Sequence, residues 1–408
     1  MFTPTQQAIP AERADGPRRL PVLPLILMAL SGFIIIMTET LPAGLLPQLA
    51  TEFAVTPGIA GQLITVYALG TIVAAIPTIA MTRGVSRKPL LVIGLVGFFL
   101  ANTLTAMAPT LAIALVARFI AGAFSGLIWG MLAGYARRIA APEHAGRALA
   151  IAMAGTPIAL SIGTPLGAWL GSMVGWRWSF ATVSVLTVLV VVLVLVAVPN
   201  ASGQQSSTRL PLGKVLVIPG VALILTVVFA WMLAHNLLYS YIAPYLDRAG
   251  VGLRPDLALF IFGAAALVGI WITGTFIDRS LRRLTLLSTA TFVVAGALLL
   301  GFATSLPVTV VAITLWGIAF GGSATQLQTA MGNAAGESVD VANAMLTTAF
   351  NLAIFGGGAI GAILVDGSGP ASLPVTMILL SAVALVTVGL GRANAFPHTS
   401  RNSSYSNA

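Results

Sequence analysis

Long runs of apolar residues, broken by short polar turns, fill almost the whole chain. About 20 apolar residues are enough for a helix to cross a bilayer. Such runs fall at 22–47, 58–80, 89–107, 111–135, 146–172, 178–198, 215–244, 257–277, 284–303, 308–332, 341–364 and 372–391. They predict an all-α membrane protein with twelve transmembrane helices. Glycine and proline interrupt many runs, which membrane helices permit where neighbours re-satisfy the backbone. One longer polar stretch, 199–214 (PNASGQQSSTRLPLGK), divides the pattern into six helices and six. The expected organisation is a tail over 1–20, a six-helix bundle over 21–198, a linker over 199–214, a second bundle over 215–391 and a tail over 392–408.

Composition agrees with this pattern. The chain is 58% hydrophobic and only 8% charged, against roughly 25% charged residues in a soluble domain. A net charge of +9 would suggest nucleic acid in a soluble protein; here it reports orientation. With the N-terminus in the cytoplasm, one membrane face collects Arg13, Arg18, Arg19, Arg83, Arg87, Lys88, Arg137, Arg138, Arg147, Arg209, Lys214, Arg279, Arg282, Arg283, Arg392 and Arg401. The other face receives Arg177, Arg248 and Arg254, and Arg118 lies inside a helix. Basic residues stay on the cytoplasmic side, so a multi-pass protein of the cell (inner) membrane with both termini cytoplasmic is expected. Arg18 and Arg19 before the first run fit a signal anchor better than a cleaved signal peptide.

Cysteine is absent, which excludes disulfides, thiolate metal sites and cysteine nucleophiles. Gly356-Gly357-Gly358 lacks the strand and the lysine of a phosphate-binding loop. No enzyme constellation, cofactor or metal is expected.

The chemistry concentrates on Glu39. Of 11 acidic residues it alone falls well inside a predicted span, where a carboxylate costs a few kcal/mol and usually marks function. Counting 1.5 Å per residue from Val22 places it about 25 Å along, past the midplane. Helix 4 enters from the outer surface near Leu111, so Arg118 lies about 10 Å below that surface, and Glu39 lies on the order of 10–15 Å below it, a compatible depth. A buried guanidinium needs an acceptor. Arg118 is read either as a structural residue bonded to backbone carbonyls or as a residue tuning the protonation of Glu39. His235 and Tyr239, four residues apart, share a helix face, with Tyr241 nearby. Together with Asn351, Gln326 and Gln328 they are candidates to bind cargo, although buried amides also bond helices to one another.

The halves echo one another. A basic turn, 82–88, follows helix 2, and another, 278–283, follows helix 8. Repeats of this kind suit a transporter whose halves rock about a midplane cavity. At these motifs the chain resembles the major facilitator superfamily, specifically its twelve-helix drug:proton antiporters and, among them, bacterial sugar-efflux (arabinose-efflux-type) permeases, over roughly 20–392. The first turn keeps Arg83, Arg87 and Lys88 of the Gly-x-x-x-Asp-Arg-x-Gly-Arg-Lys pattern but lacks its Asp. The second keeps Gly274, Asp278, Arg279, Arg282 and Arg283. Arg118 and Gly122 match Arg-x-x-x-Gly. Gly155, Pro157, Gly163, Pro165 and Gly167 resemble the antiporter signature of helix 5, and 235–245 resembles helix 7 of the sugar-efflux permeases.

The resemblance implies a non-enzymatic, proton-coupled antiporter that exports a small solute, sugar-like or drug, by alternating access. Export of a nucleoside or amino acid, or of an amphenicol-type drug, is the alternative. It implies proton coupling through Arg118, and gating by the basic turns and the helix 5 motif; for Glu39 the proton-exchanging role follows from burial of a lone carboxylate in the membrane. The expected partners are small-molecule cargo, protons and the lipid bilayer, with no nucleic acid. The expected state is a monomer. A solute receptor and an uncoupled facilitator are the rivals; the tails are short for a receptor, and Glu39 with Arg118 argues against a facilitator.

Overall fold

The computed structural model describes residues 20–82, 84–203 and 212–396. The 1–20 and 392–408 tails, the 199–214 linker and Arg83 therefore lie wholly or partly outside the described residues. Among the described residues there is no strand. We number the membrane helices α1 (Val22–Glu52), α2 (Pro57–Thr82), α3 (Arg87–Ala106), α4 (Leu111–Ile139), α5 (Pro142–Val174) and α6 (Trp176–Ala197). In the second half come α7 (Val221–Ser240), α8 and α9 within Pro255–Gly301, α10 (Leu306–Ala335), α11 (Val341–Ser368) and α12 (Ser372–Leu390).

The helix over Pro255–Gly301 has 47 residues. It would be about 70 Å long if straight, more than twice a ~30 Å hydrocarbon core. Ser280, with φ −144° and ψ 27°, leaves helical geometry and breaks it. The twelve predicted spans therefore correspond, among the described residues, to eleven helices long and apolar enough to cross a membrane, one of them two helices joined at the kink at Ser280. Their outward faces carry exposed Leu, Val, Ile, Phe and Trp. Lipid accepts such a surface, while water would not over so large a patch.

Three breaks inside helices bear on the site. Pro42 and Pro47 interrupt α1. Ala159–Gly163 forms a π turn in α5, between Pro157 and Pro165. Tyr241 ends α7, and a short helix, Ile242–Ala249, continues at a new angle. Each break frees carbonyls that the regular ladder would have used.

The two halves meet along two seams. In one, α2 lies against α11; in the other, α5 lies against α8. The side-chain contacts across these seams run from mid-membrane to the face opposite the basic turns: Gly44 with Leu259, Ser161 with Gly263, Thr65 with Gly358, and Thr56 with Asp366. Nearer the basic turns, Ala145–Met153 and Ser323–Ala335 pack on their own halves. Among the described residues, hydrogen bonds thus join the halves from mid-membrane to the opposite face, whereas Lys88 and Arg282 of the basic turns bond within their own halves.

Candidate functional site

Glu39 stands at the junction of the halves. It lies deep in the protein yet keeps accessible surface. On the same helix Phe33, Ile36 and Thr40 are also partly accessible. Their spacing of three and four residues defines one stripe; we read this stripe, deep in the bundle and yet accessible, as the wall of a cleft between the halves, with Glu39 at its edge. Among the described residues no cation pairs directly with the Glu39 carboxylate. Its charge reaches the hydroxyls of Tyr67 on α2 and of Tyr239 on α7, in the other half.

Arg118 is fully buried, and its donors are spent on backbone. Nη1 donates to the carbonyl of Thr38 at 2.6 Å, Nη2 to that of Glu39 at 3.2 Å, and Nε to that of Leu63 at 3.0 Å. The reason lies four residues beyond Thr38. Pro42 has no N–H, so the Thr38 carbonyl has no helical donor, and the guanidinium supplies one. The Tyr67 ring centroid is 4.6 Å from the guanidinium carbon, and the Phe180 ring 5.9 Å. Of the two readings of Arg118, the carbonyl-bonded one describes its contacts. Its charge also acts on the Glu39 carboxylate through space, so it fixes the backbone on which Glu39 stands without neutralising it by contact. Asn102 of α3 adds a bond to the Thr38 hydroxyl at 3.0 Å.

Thr40 and Thr164 join α1 to α5 by a 2.6 Å hydroxyl contact. The glycine ladder of α5 makes that approach possible. A Cβ at Gly155 would strike the Ala29 carbonyl, at Gly163 the side chains of Phe33 and Met37, and at Gly167 that of Leu41. These glycines face α1 within their own half. The face of α5 that meets the other half carries Ser161, which donates to the Gly263 carbonyl at 2.9 Å, and Ser172.

The facing half presents aromatic rings. His235 stacks on Phe320 with ring centroids 3.7 Å apart. Tyr239 lies at 5.2 Å, Phe262 at 5.5 Å and Trp316 at 5.5 Å from the same imidazole. Phe320 reaches the accessible surface, whereas His235, Phe262 and Trp316 are buried. His235 Nδ1, the Tyr239 hydroxyl and Trp316 Nε1 have no aligned hydrogen-bond partner. The Tyr239 hydroxyl lies beside the Thr40–Thr164 pair of the first half. Thus His235 and Tyr239 come together as their spacing predicts, and Phe262, Trp316 and Phe320 complete a cluster that single-helix periodicity does not reveal.

The remaining sequence candidates disperse. Tyr241 is turned away from His235 by the break in α7; its hydroxyl donates to the Gly358 carbonyl at 2.7 Å, and its ring fills the space beside Gly61. It seals the α2–α11 seam. Gln326 is buried and donates to the hydroxyls of Thr273 and Ser288 at 3.1 and 3.3 Å, within its own half. Gln328, two residues on and so on the opposite side of the helix, is exposed. Asn351 is partly accessible and donates to the Thr347 carbonyl of its own helix.

The basic turns act as clasps within each half. Lys88 Nζ donates to the Leu195 carbonyl at 2.7 Å, and the Arg87 backbone N–H to the Ala201 carbonyl at 2.8 Å. Arg282 reaches the carbonyls of Val388, Gly389 and Phe396 at 2.7, 2.9 and 3.2 Å. Each turn therefore satisfies the open carbonyl end of the last helix of its half, where the helix dipole also favours a cation. Asp278, Arg279 and Arg283 are exposed.

A family model described as Major Facilitator Superfamily matches residues 28–357. The chain belongs to the Major Facilitator Superfamily. It is a multi-pass membrane transporter, not an enzyme. It is also similar to two chloramphenicol efflux pumps of Mycobacterium tuberculosis. One, from strain CDC 1551 / Oshkosh, is 29% identical over 408 residues, covering 96% of this chain and 95% of the pump. The other, from strain ATCC 25618 / H37Rv, is 29% identical over 412 residues with the same coverage.

Proposed function

We propose that this transporter is a proton-driven exporter of small, ring-bearing drugs of the amphenicol kind. The observation that carries this reading is the position of Glu39. It is an acid on the wall of the cleft, with no contacting cation, between a fixed guanidinium and a wall of aromatic rings. A group so placed exchanges a proton with whichever side the cleft faces. Basic residues favour the cytoplasmic side, so a cleft open towards the basic turns faces the cytoplasm, where an exporter loads its cargo.

The cycle follows from two states that share one acid. Facing the cytoplasm, Glu39 releases its proton and cargo settles against the aromatic wall. The halves then rock, the seams on the opposite face part, and Glu39 takes a proton from outside as cargo leaves. The protonated, neutral carboxylate crosses back at lower cost than a charged one. Arg118 keeps the carboxylate in register through all steps because its three carbonyl bonds lie wholly within the first half. Flat rings around an imidazole favour an aromatic cargo over a sugar-like one, and the two similar proteins are named for chloramphenicol.

Proteoliposomes with an imposed pH gradient test the reading. Purified protein should move chloramphenicol against its gradient with matched proton flux. Chloramphenicol movement without proton flux would refute the coupling, and no movement of it would refute the cargo class.

A further inference from the structure

The seam between α2 and α11 contains a carboxylate that the transport site does not use. Asp366 sits in a π turn, Leu364–Ser368, at the end of α11 on the face opposite the basic turns. Oδ2 accepts the Thr56 hydroxyl at 2.6 Å, and Oδ1 accepts the Gly58 backbone N–H at 3.0 Å. Thr56 in turn accepts the N–H of Ile59 at 3.2 Å. These N–H groups begin α2, where Pro57 already removes one donor. A helix start leaves its first N–H groups unpaired and favours a negative charge. Here the negative charge comes from the other half of the molecule.

The fit is specific. A Cβ at Gly58 would strike the Asp366 carboxylate and the Ala362 carbonyl, so only glycine lets the two helices close to bonding distance. Below this contact, Tyr241 fills the space beside Gly61, and Thr65 meets Gly358. Both bonds of Asp366 join elements of opposite halves. Neither survives if α2 and α11 move apart.

We propose that Asp366 is the latch of this face: its carboxylate caps α2 across the seam while the face is shut, and opening the face breaks both bonds. The clasps on the basic face differ in kind, since Lys88 and Arg282 bond within their halves and stay bonded as the halves rock. Such a latch requires nothing of cargo or protons.

The chain has no cysteine, so Thr65→Cys places a single thiol in the seam, at a site only 4% exposed. The measurement is the rate at which a bulky maleimide labels that thiol in purified protein held in nanodiscs. Adding Asp366→Ala should raise the rate on the order of tenfold, because the variant loses both hydrogen bonds across the seam, each worth less in so exposed a place than when buried. Asp366→Asn, whose amide oxygen still accepts from Gly58, should fall between. Thr56→Val should raise the rate less than Asp366→Ala, and it decides the matter if Asp366→Ala does not fold. Ala312→Cys, fully buried within one half, should stay unlabelled throughout. An unchanged rate at position 65 overturns the latch. So does equal labelling at position 312, which would mean general loosening.

Discussion

The two halves face each other across the cleft with opposite chemistry. The first half brings charge: Glu39 at the wall, and Arg118 behind it with every bond committed to carbonyls of α1 and α2. The second half brings rings: His235, Tyr239, Phe262, Trp316 and Phe320, with three polar atoms left without aligned partners. A satisfied charge is held rigidly, whereas buried polar atoms without partners can accept new ones at little structural cost. On the proposed function the first half handles the proton and the second the cargo, and Tyr239 reaches from one to the other.

The largest effect should come from the acid. Glu39→Gln keeps shape and removes the proton site; we expect pH-driven chloramphenicol transport to vanish while the protein still purifies folded. Full coupling in that variant would end the division of labour.

Arg118→Met comes next. It leaves the Thr38 carbonyl, which Pro42 cannot serve, without a donor inside the membrane, and it removes the second bond to the carbonyls of Glu39 and Leu63. We expect a stability loss on the order of 3 kcal/mol, read as a fall in melting temperature in detergent. Arg118→Lys should recover only part, because one ammonium lacks the planar fork that reaches α1 and α2 together.

On the aromatic side, Phe320→Ala should weaken equilibrium binding of chloramphenicol about tenfold, equivalent to about 1.4 kcal/mol. Proton release from Glu39 should be untouched. An equal loss of both would show that the halves do not divide the work. The smallest effect is expected from Arg282→Ala, which loosens the end of α12. Its cost should be about 1–2 kcal/mol in thermal stability, with transport retained, because the clasp does not cross between halves.

Several of these features were legible in the chain, each for a local reason. The period and length of the apolar runs predict twelve spans, because hydrocarbon thickness alone sets that length. The solitary Glu39 was visible because charge is so scarce in this sequence. The His235–Tyr239 pair follows from helical spacing. The partners of Arg118 had one local sign, Pro42 four residues after Thr38, which marks an unpaired carbonyl without naming its donor. Gln326 and Gln328 looked equivalent in the sequence, yet two residues of helix turn them to opposite sides, one bonded in the core and one exposed.

What the sequence by itself determined was the medium, the pattern of crossings and the identity of the one acid well inside a predicted span, because lipid penalises charge wherever the chain folds. Only the tertiary structure decided that Arg118 bonds backbone rather than carboxylate. Only it joined rings from α7, α8 and α10 into one wall and set Asp366 on the start of α2. Asp366 and Gly58 lie far apart in the chain, and no periodicity within one helix reports which other helix will come to rest against it.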